Sequence, residues 1–201
     1  MLTKIDQYLV LLRSVFMSHL PFFVHWIAVM WLIFIVNTLF FQGRLNVLGI
    51  YPRHPIGLIG ILCSPFLHGG FSHLLLNSAM LFILGSFVMM LDPSQFYIIS
   101  AIILIIGGGL TWEFGRPYLH IGASGLIMGY WGFLMINVFV QPTLLAVVVV
   151  AVCLYYFGAM FLNLFPQDEQ TSWEGHLFGF FGGVAAVFLA PMLQSLFVKV
   201  S

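Results

Sequence analysis

Residues 121–140 read IGASGLIMGYWGFLMINVFV. No residue in this stretch carries a charge, and its length matches the roughly 20 apolar residues a helix needs to cross a bilayer. Its start is unusual for such a segment: Gly122, Ala123, Ser124 and Gly125 open it, and Gly129 and Gly132 follow. On a helix, Gly125, Gly129 and Gly132 share one face by i, i+4, i+7 spacing. A face without side chains lets a second helix backbone approach closely. The stretch therefore reads as a membrane helix with a smooth packing face and a serine near one end.

The rest of the chain has the same character. Of its 201 residues, 62% are hydrophobic and 6% are charged, against about 45–50% and about 25% in a soluble domain. A soluble sphere of this size lacks the interior to hide so much apolar surface. Disordered, collagen-like and disulfide-rich secreted classes are excluded on the same grounds. The apolar runs are continuous and do not alternate, which favours helices over a β-barrel. Six segments are long enough to span: 21–41, 72–91, 95–112, 121–140, 143–165 and 174–197. The expected fold is an all-α integral membrane protein, one six-helix bundle over 1–201, with no internal repeat and no soluble domain.

Short polar connections separate the spans: Asp92-Pro93-Ser94, Glu113 to His120, Gln141-Pro142, and Pro166 to Ser172. The connection from Gln42 to Gly70 is longer and mostly apolar between Ile56 and Leu67. That apolar part is too short to span, so it reads as an interfacial or re-entrant piece packed on the bundle. Lys4 and Arg13 precede the run 21–41, which is longer than a signal-peptide core and reads as a retained first span. The net charge is zero, so no basic patch argues for nucleic acid. Cys63 and Cys153 lie in separate apolar stretches without metal spacing and read as packing residues. No metal or other cofactor is expected. Charge does not orient the chain: Lys4, Arg13 and Lys199 fall on one side, Arg44, Arg53 and Arg116 on the other.

Alternation of the spans is more informative. The second, fourth and sixth must start at the same membrane face, and the polar residues cluster at those starts. The second opens with Ser72, His73 and Asn77, the fourth with Ser124 among glycines, the sixth with Trp173, Glu174 and His176. Polar groups inside a span are expensive and usually functional, so three clusters at one depth point to one shared site. His176, Gly179 and Gly183 follow i, i+3, i+7 spacing. Packing this face on Gly125 and Gly129 would bring His176 near Ser124. A serine hydroxyl needs an adjacent base to act as a nucleophile, and neutral histidine is the usual one. His73 and Asn77 share a face one turn apart and can donate to a developing oxyanion, as can the Ser124 backbone N–H. The plain alternatives are a capping serine, an interfacial histidine and an interhelical polar clasp, and spacing alone leaves both readings open.

Taken together these residues resemble a known family. Gly122-Ala123-Ser124-Gly125, His73 with Asn77, His176 followed by Gly179 and Gly183, and His68 in Pro65-Phe66-Leu67-His68 are similar to the motifs of rhomboid intramembrane serine proteases of the minimal six-span bacterial type. The resemblance covers almost the whole chain. It implies Ser124 as nucleophile and His176 as general base, a dyad without aspartate. It implies oxyanion donors from Asn77, His73 and the Ser124 amide, with Gly122, Gly125, Gly129, Gly179 and Gly183 as helix-packing glycines. It further implies a half-submerged first loop, a lateral gate at the fifth span, and an active face toward the periplasm or exterior of a bacterial inner membrane. Both termini would be cytoplasmic. The partners would be transmembrane protein substrates and the bilayer itself.

The sequence departs from the family pattern in places. The first loop has Ile59 and Gly60 where a Trp-Arg pair is common. Met128 stands where an aromatic commonly packs on the histidine, so Tyr130 or Trp131 becomes the candidate support. Met89 and Met90 stand where a glutamate is common near the end of the second span. Glu174 and Trp173 read as an interfacial anchor, His120 as a solvated loop residue with lining of the water entrance as the alternative, and His19, His25 and His54 as interfacial. Two other classes compete with the protease: a catalytically inactive relative that binds membrane-protein clients, and a transporter or metal site built on His68, His73 and His176. The presence of both serine and histidine argues against the first. The lack of a repeat, of a mid-membrane carboxylate and of a nearby cysteine argues against the second.

Overall fold

The computed structural model describes residues 4–166 and 172–200. Its helices are α1 (Lys4–Phe41), α2 (Pro55–Cys63), α3 (Phe71–Leu91), α4 (Phe96–Phe114), α5 (Ser124–Val140), α6 (Leu144–Phe157) and α7 (Trp173–Val200). Five segments are long and apolar enough to cross a membrane: Phe16–Phe41, Phe71–Leu91, Phe96–Phe114, Leu144–Leu164 and Trp173–Leu196. The sixth expected span, 121–140, is the 17-residue helix α5, about 25 Å long at 1.5 Å per residue. Shortness suits its place. Leu126 to Leu134 are buried without interruption, so α5 is the central helix, enclosed by α3, α4 and α7.

Sequence chemistry explains most of the boundaries. The Asp92 carboxylate accepts from the Gln95 backbone N–H at 3.2 Å and from the Ser94 hydroxyl at 3.1 Å, closing the α3–α4 turn around Pro93. The Thr143 hydroxyl caps α6 by accepting from the Ala146 N–H at 3.1 Å. Helix α4 widens to π geometry over Ile103–Gly107, which presses Gly107 onto the backbone of α7 at Gly179. Helix α6 tightens to a 3₁₀ helix over Gly158–Leu164. The first helix differs from expectation. It starts at Lys4 and runs through Pro21 instead of beginning there, because a proline removes only one hydrogen bond from a long helix. The connection predicted from Pro166 to Ser172 lies outside the described residues at 167–171.

The long connection after α1 is ordered and packed. Asn37, only 2% exposed within α1, bonds the Asn46 side chain at 2.9 Å and the Leu45 N–H at 3.0 Å, and so anchors the start of the loop. Helix α2 lies against α4, with Ile61 on Gly108. Arg53 ties this loop to the end of α4: its N–H donates to Trp112 O at 3.0 Å and its guanidinium to Glu113 O at 2.8 Å. Trp112 Nε1 donates in turn to His54 O at 2.9 Å. Among the described residues the sole β pairing is the isolated bridge Ile50–His120, which ties this loop to the turn before α5.

Candidate active site

The site begins with the contact between α5 and α7. A Cβ placed on Gly125 would lie 3.3 Å from Gly175 O, and one on Gly129 would lie 3.0 Å from Gly179 O. From the other side, a Cβ on Gly179 would strike the Gly125 carbonyl, and one on Gly183 the Gly129 carbonyl. The two glycine faces therefore meet backbone to backbone, the close approach that small residues permit. Gly125 follows Ser124 and Gly175 precedes His176, so the contact brings the backbones at the serine and the histidine together.

Gly122 plays another part. It lies in the turn before α5 and not in the helix–helix contact expected of it, because its φ of +109° cannot continue a helix. A Cβ there would sit 2.6 Å from His73 Nε2 and 3.0 Å from Asn77 Nδ2. The missing side chain thus leaves a small polar recess on which both nitrogens converge. The Asn77 amide nitrogen is buried and bonds no protein acceptor among the described residues. Ser124, the first residue of α5, has a backbone N–H that the helix leaves free of an intrahelical partner. The turn itself is fixed by the Gly122 N–H donating to Ser64 O at 2.9 Å. His68, itself buried, meets the His73 ring edge-on at 5.1 Å between centroids. Burial, reinforced by His73, pushes His68 down to about 4, so its ring is neutral at ordinary pH.

His176 is oriented by a group no sequence motif marks. Its Nδ1 lies 3.1 Å from the backbone carbonyl of Asn163, in the 3₁₀ segment after α6. A carbonyl only accepts, so Nδ1 carries the proton and Nε2 keeps its lone pair, the tautomer a general base requires. Ser124, His176, His73 and Asn77 all line one cavity of about 780 Å³, walled by apolar Leu76, Met80, Ile127, Met128 and Met160. That lies within the roughly 300–1,000 Å³ of small-molecule sites. Behind Ser124 is a second chamber of about 40 Å³, bordered by Ser64, Thr111, His120 and Ser172. Its wall is mixed, with Ile61, Ile103 and Leu126 beside those polar groups, and it is large enough for water.

Several sequence readings change here. Glu174 is 2% exposed and paired with Arg116 instead of anchoring at an interface. His120 is 4% exposed, with Nε2 facing Arg116 O at 3.3 Å and Nδ1 facing the Ser172 hydroxyl at 2.5 Å. Burial pushes its pKa down, and the neutral ring donates to the carbonyl and accepts from the serine. Tyr130 and Trp131 turn to other partners: Tyr130 shares a hydrogen bond with Ser100 at 2.7 Å, and Trp131 packs on Phe180. Met128 lines the cavity beside His176, and the ring is held by Asn163 O instead of by an aromatic. Among the described residues, no group of three His, Cys, Asp or Glu is arranged to hold a metal ion.

Comparison with known proteins agrees with this architecture. The family model of the Rhomboid domain matches residues 55–192. An uncharacterized protein of Mycobacterium tuberculosis is 36% identical over 173 residues, covering 81% of this chain and 71% of the relative. An uncharacterized protein of Mycobacterium leprae is 34% identical over 142 residues, 66% of this chain and 56% of the relative. A Bacillus subtilis protein provisionally named a rhomboid protease is 30% identical over 140 residues, 64% of this chain and 65% of the relative.

Proposed function

The chain belongs to the rhomboid family, and from that premise we propose that it is a serine endopeptidase cutting transmembrane or membrane-adjacent segments of other proteins. Six helices cross the membrane in this reading, α5 included, with the active face toward the periplasm or exterior of a bacterial inner membrane. Ser124 Oγ attacks the scissile carbonyl while His176 Nε2 takes its proton. The oxyanion that forms is held by the Ser124 N–H, Asn77 Nδ2 and His73 Nε2 in the recess left by Gly122. His176 then protonates the leaving amine, and water from the chamber behind Ser124 hydrolyses the acyl-enzyme. A substrate helix must unwind first, since its carbonyls are otherwise bonded within the helix.

The observation that carries this reading is the buried Asn77 amide, without an acceptor of its own, converging with His73 on the turn before Ser124 in the cavity that also holds His176. What supports an oxyanion role is that the amide faces the same recess at Gly122 as His73 Nε2 does. A fluorophosphonate probe on the purified chain in detergent tests the proposal. We expect a covalent adduct that mass spectrometry locates on Ser124. A folded protein that stays unlabelled would favour an inactive, client-binding relative. Asn77→Ala is expected to lower the cleavage rate constant about 10²–10³-fold with little change in KM, because the amide bonds only the transition-state oxygen. Cleavage kinetics on a reporter with a single membrane span would show it, and an unchanged rate constant would remove Asn77 from the oxyanion site.

A further inference from the structure

The glycine contact between α5 and α7 brings two backbones together but, at the end that carries Ser124 and His176, offers few side chains to fix their register. Interdigitated side chains resist axial sliding, whereas glycine faces offer few ridges to do so. A slide along this contact would change the spacing of Ser124 and His176, which directly adjoin Gly125 and Gly175 in the two helices. Something at the site's end of the contact must therefore hold α7 in place.

Two links do so, both from the turn that leads into Ser124. The first is an ion pair. The Arg116 guanidinium grips the Glu174 carboxylate with two nitrogens, Nε to Oε1 and Nη2 to Oε2, the latter at 3.2 Å. The Arg116 backbone N–H adds a longer contact to Oε1 at 3.4 Å. Such a two-pronged pair fixes angle as well as distance. Glu174 lies in the first turn of α7, two residues before His176, and is 2% exposed. The carboxylate is buried while the Arg116 side chain is 37% exposed, so drift of the arginine would leave a buried carboxylate short of its partner. The second link is His120 to the Ser172 hydroxyl at 2.5 Å, and the Ser172 carbonyl accepts from the His176 N–H at 3.3 Å.

The turn that carries these links is itself immobilised. His120 exchanges two backbone hydrogen bonds with Ile50, each 2.9 Å, and Gly122 bonds Ser64. The start of α7 is thus tied to the same framework that fixes Ser124. Arg116 is held over the faces of Tyr118 and Trp173, 5.7 and 6.0 Å from their ring centres, which restrains its guanidinium further.

We infer that Arg116 and Glu174 are positioning residues for the hydrolysis, their ion pair setting the register of α7 and thereby the approach of His176 to Ser124. This inference rests on the protease reading. Neither residue touches substrate in it; both act through the placement of the histidine.

The test uses the full-length chain in detergent and a fluorophosphonate probe at increasing concentrations. Arg116→Gln and Glu174→Gln should lower the limiting labelling rate constant about ten- to a hundredfold, the scale of a roughly 1 Å misplacement. The half-saturating probe concentration and the final labelled fraction should stay at the wild-type values. Arg116→Lys keeps the charge but lacks the planar fork, so it should recover only part of the rate. It also serves as the milder variant should the glutamine variants fold poorly. A purely structural pair gives another pattern: the final labelled fraction falls with the folded fraction, while the rate constant of the folded molecules is unchanged. That pattern, or wild-type rates in Arg116→Lys and Arg116→Gln, would overturn the positioning role and leave the protease reading standing. A wild type that never labels would overturn the protease reading and this role with it.

Discussion

Ser124→Ala is expected to reduce cleavage of a membrane-spanning reporter about 10⁶-fold while leaving the bundle folded. The scale is that of removing the nucleophile from a serine protease. Stability should hold because the substitution falls at the first turn of α5, where alanine is a good helix former, and the interhelical contact is made by Gly125 and the glycines beyond it. His176→Ala is expected to cost about as much, since serine without its base is a weak nucleophile. The informative comparison is the double variant. Residues that act as one unit lose their effect together, so the double variant should be no slower than either single one. Rate losses that multiply would mean the two residues act separately, which would overturn the dyad.

Gly183→Ala is expected to destabilise the protein by about 1–3 kcal/mol, the usual range for overpacking, and to abolish probe labelling. The added methyl would meet backbone atoms, lying 2.7 Å from Gly129 C and 2.8 Å from Phe133 N. Backbone cannot rotate aside as a flexible side chain can, so α5 and α7 must separate and carry Ser124 away from His176. The sign of the effect makes it diagnostic. In an unobstructed helix, glycine to alanine stabilises by about 1 kcal/mol. Gly109 supplies that control, because a Cβ there meets nothing within 4 Å. Thermal melts in detergent should therefore move in opposite directions, down for Gly183→Ala and unchanged or up for Gly109→Ala. A Gly183→Ala melt that does not fall would show that the glycine contact is not tight.

Much of the protein was legible before any fold was drawn. The excess of apolar residues and the scarcity of charge specified a helical membrane protein, since bilayer insertion is governed by composition along the chain. The spacing of Gly125, Gly129, Gly179 and Gly183 indicated which helices approach closely, because a 3.6-residue period maps sequence onto a face. The spans Phe71–Leu91 and Phe96–Phe114 agree with their predicted limits to within two residues. The first apolar span starts at Phe16, five residues before the expected 21, within a helix that begins at Lys4, because hydropathy marks where lipid begins and not where a helix does.

Other features needed the tertiary structure. Gly122 shares its motif with Gly125, yet its φ of +109° belongs to the turn before α5 and not to the interhelical face. Glu174 looked like a surface anchor beside Trp173, and only the return of the chain from α4 sets Arg116 against it, 58 residues away in sequence. His120 and Ser172 meet across 52 residues in the same way. The orientation of His176 depends on a backbone carbonyl at Asn163, and every residue carries one, so no side-chain pattern could mark it. Composition and periodicity are local properties of a chain and determine what crosses the membrane and which faces are smooth. The pairing of distant polar groups depends on where loops bring them, and that is decided only when the helices pack.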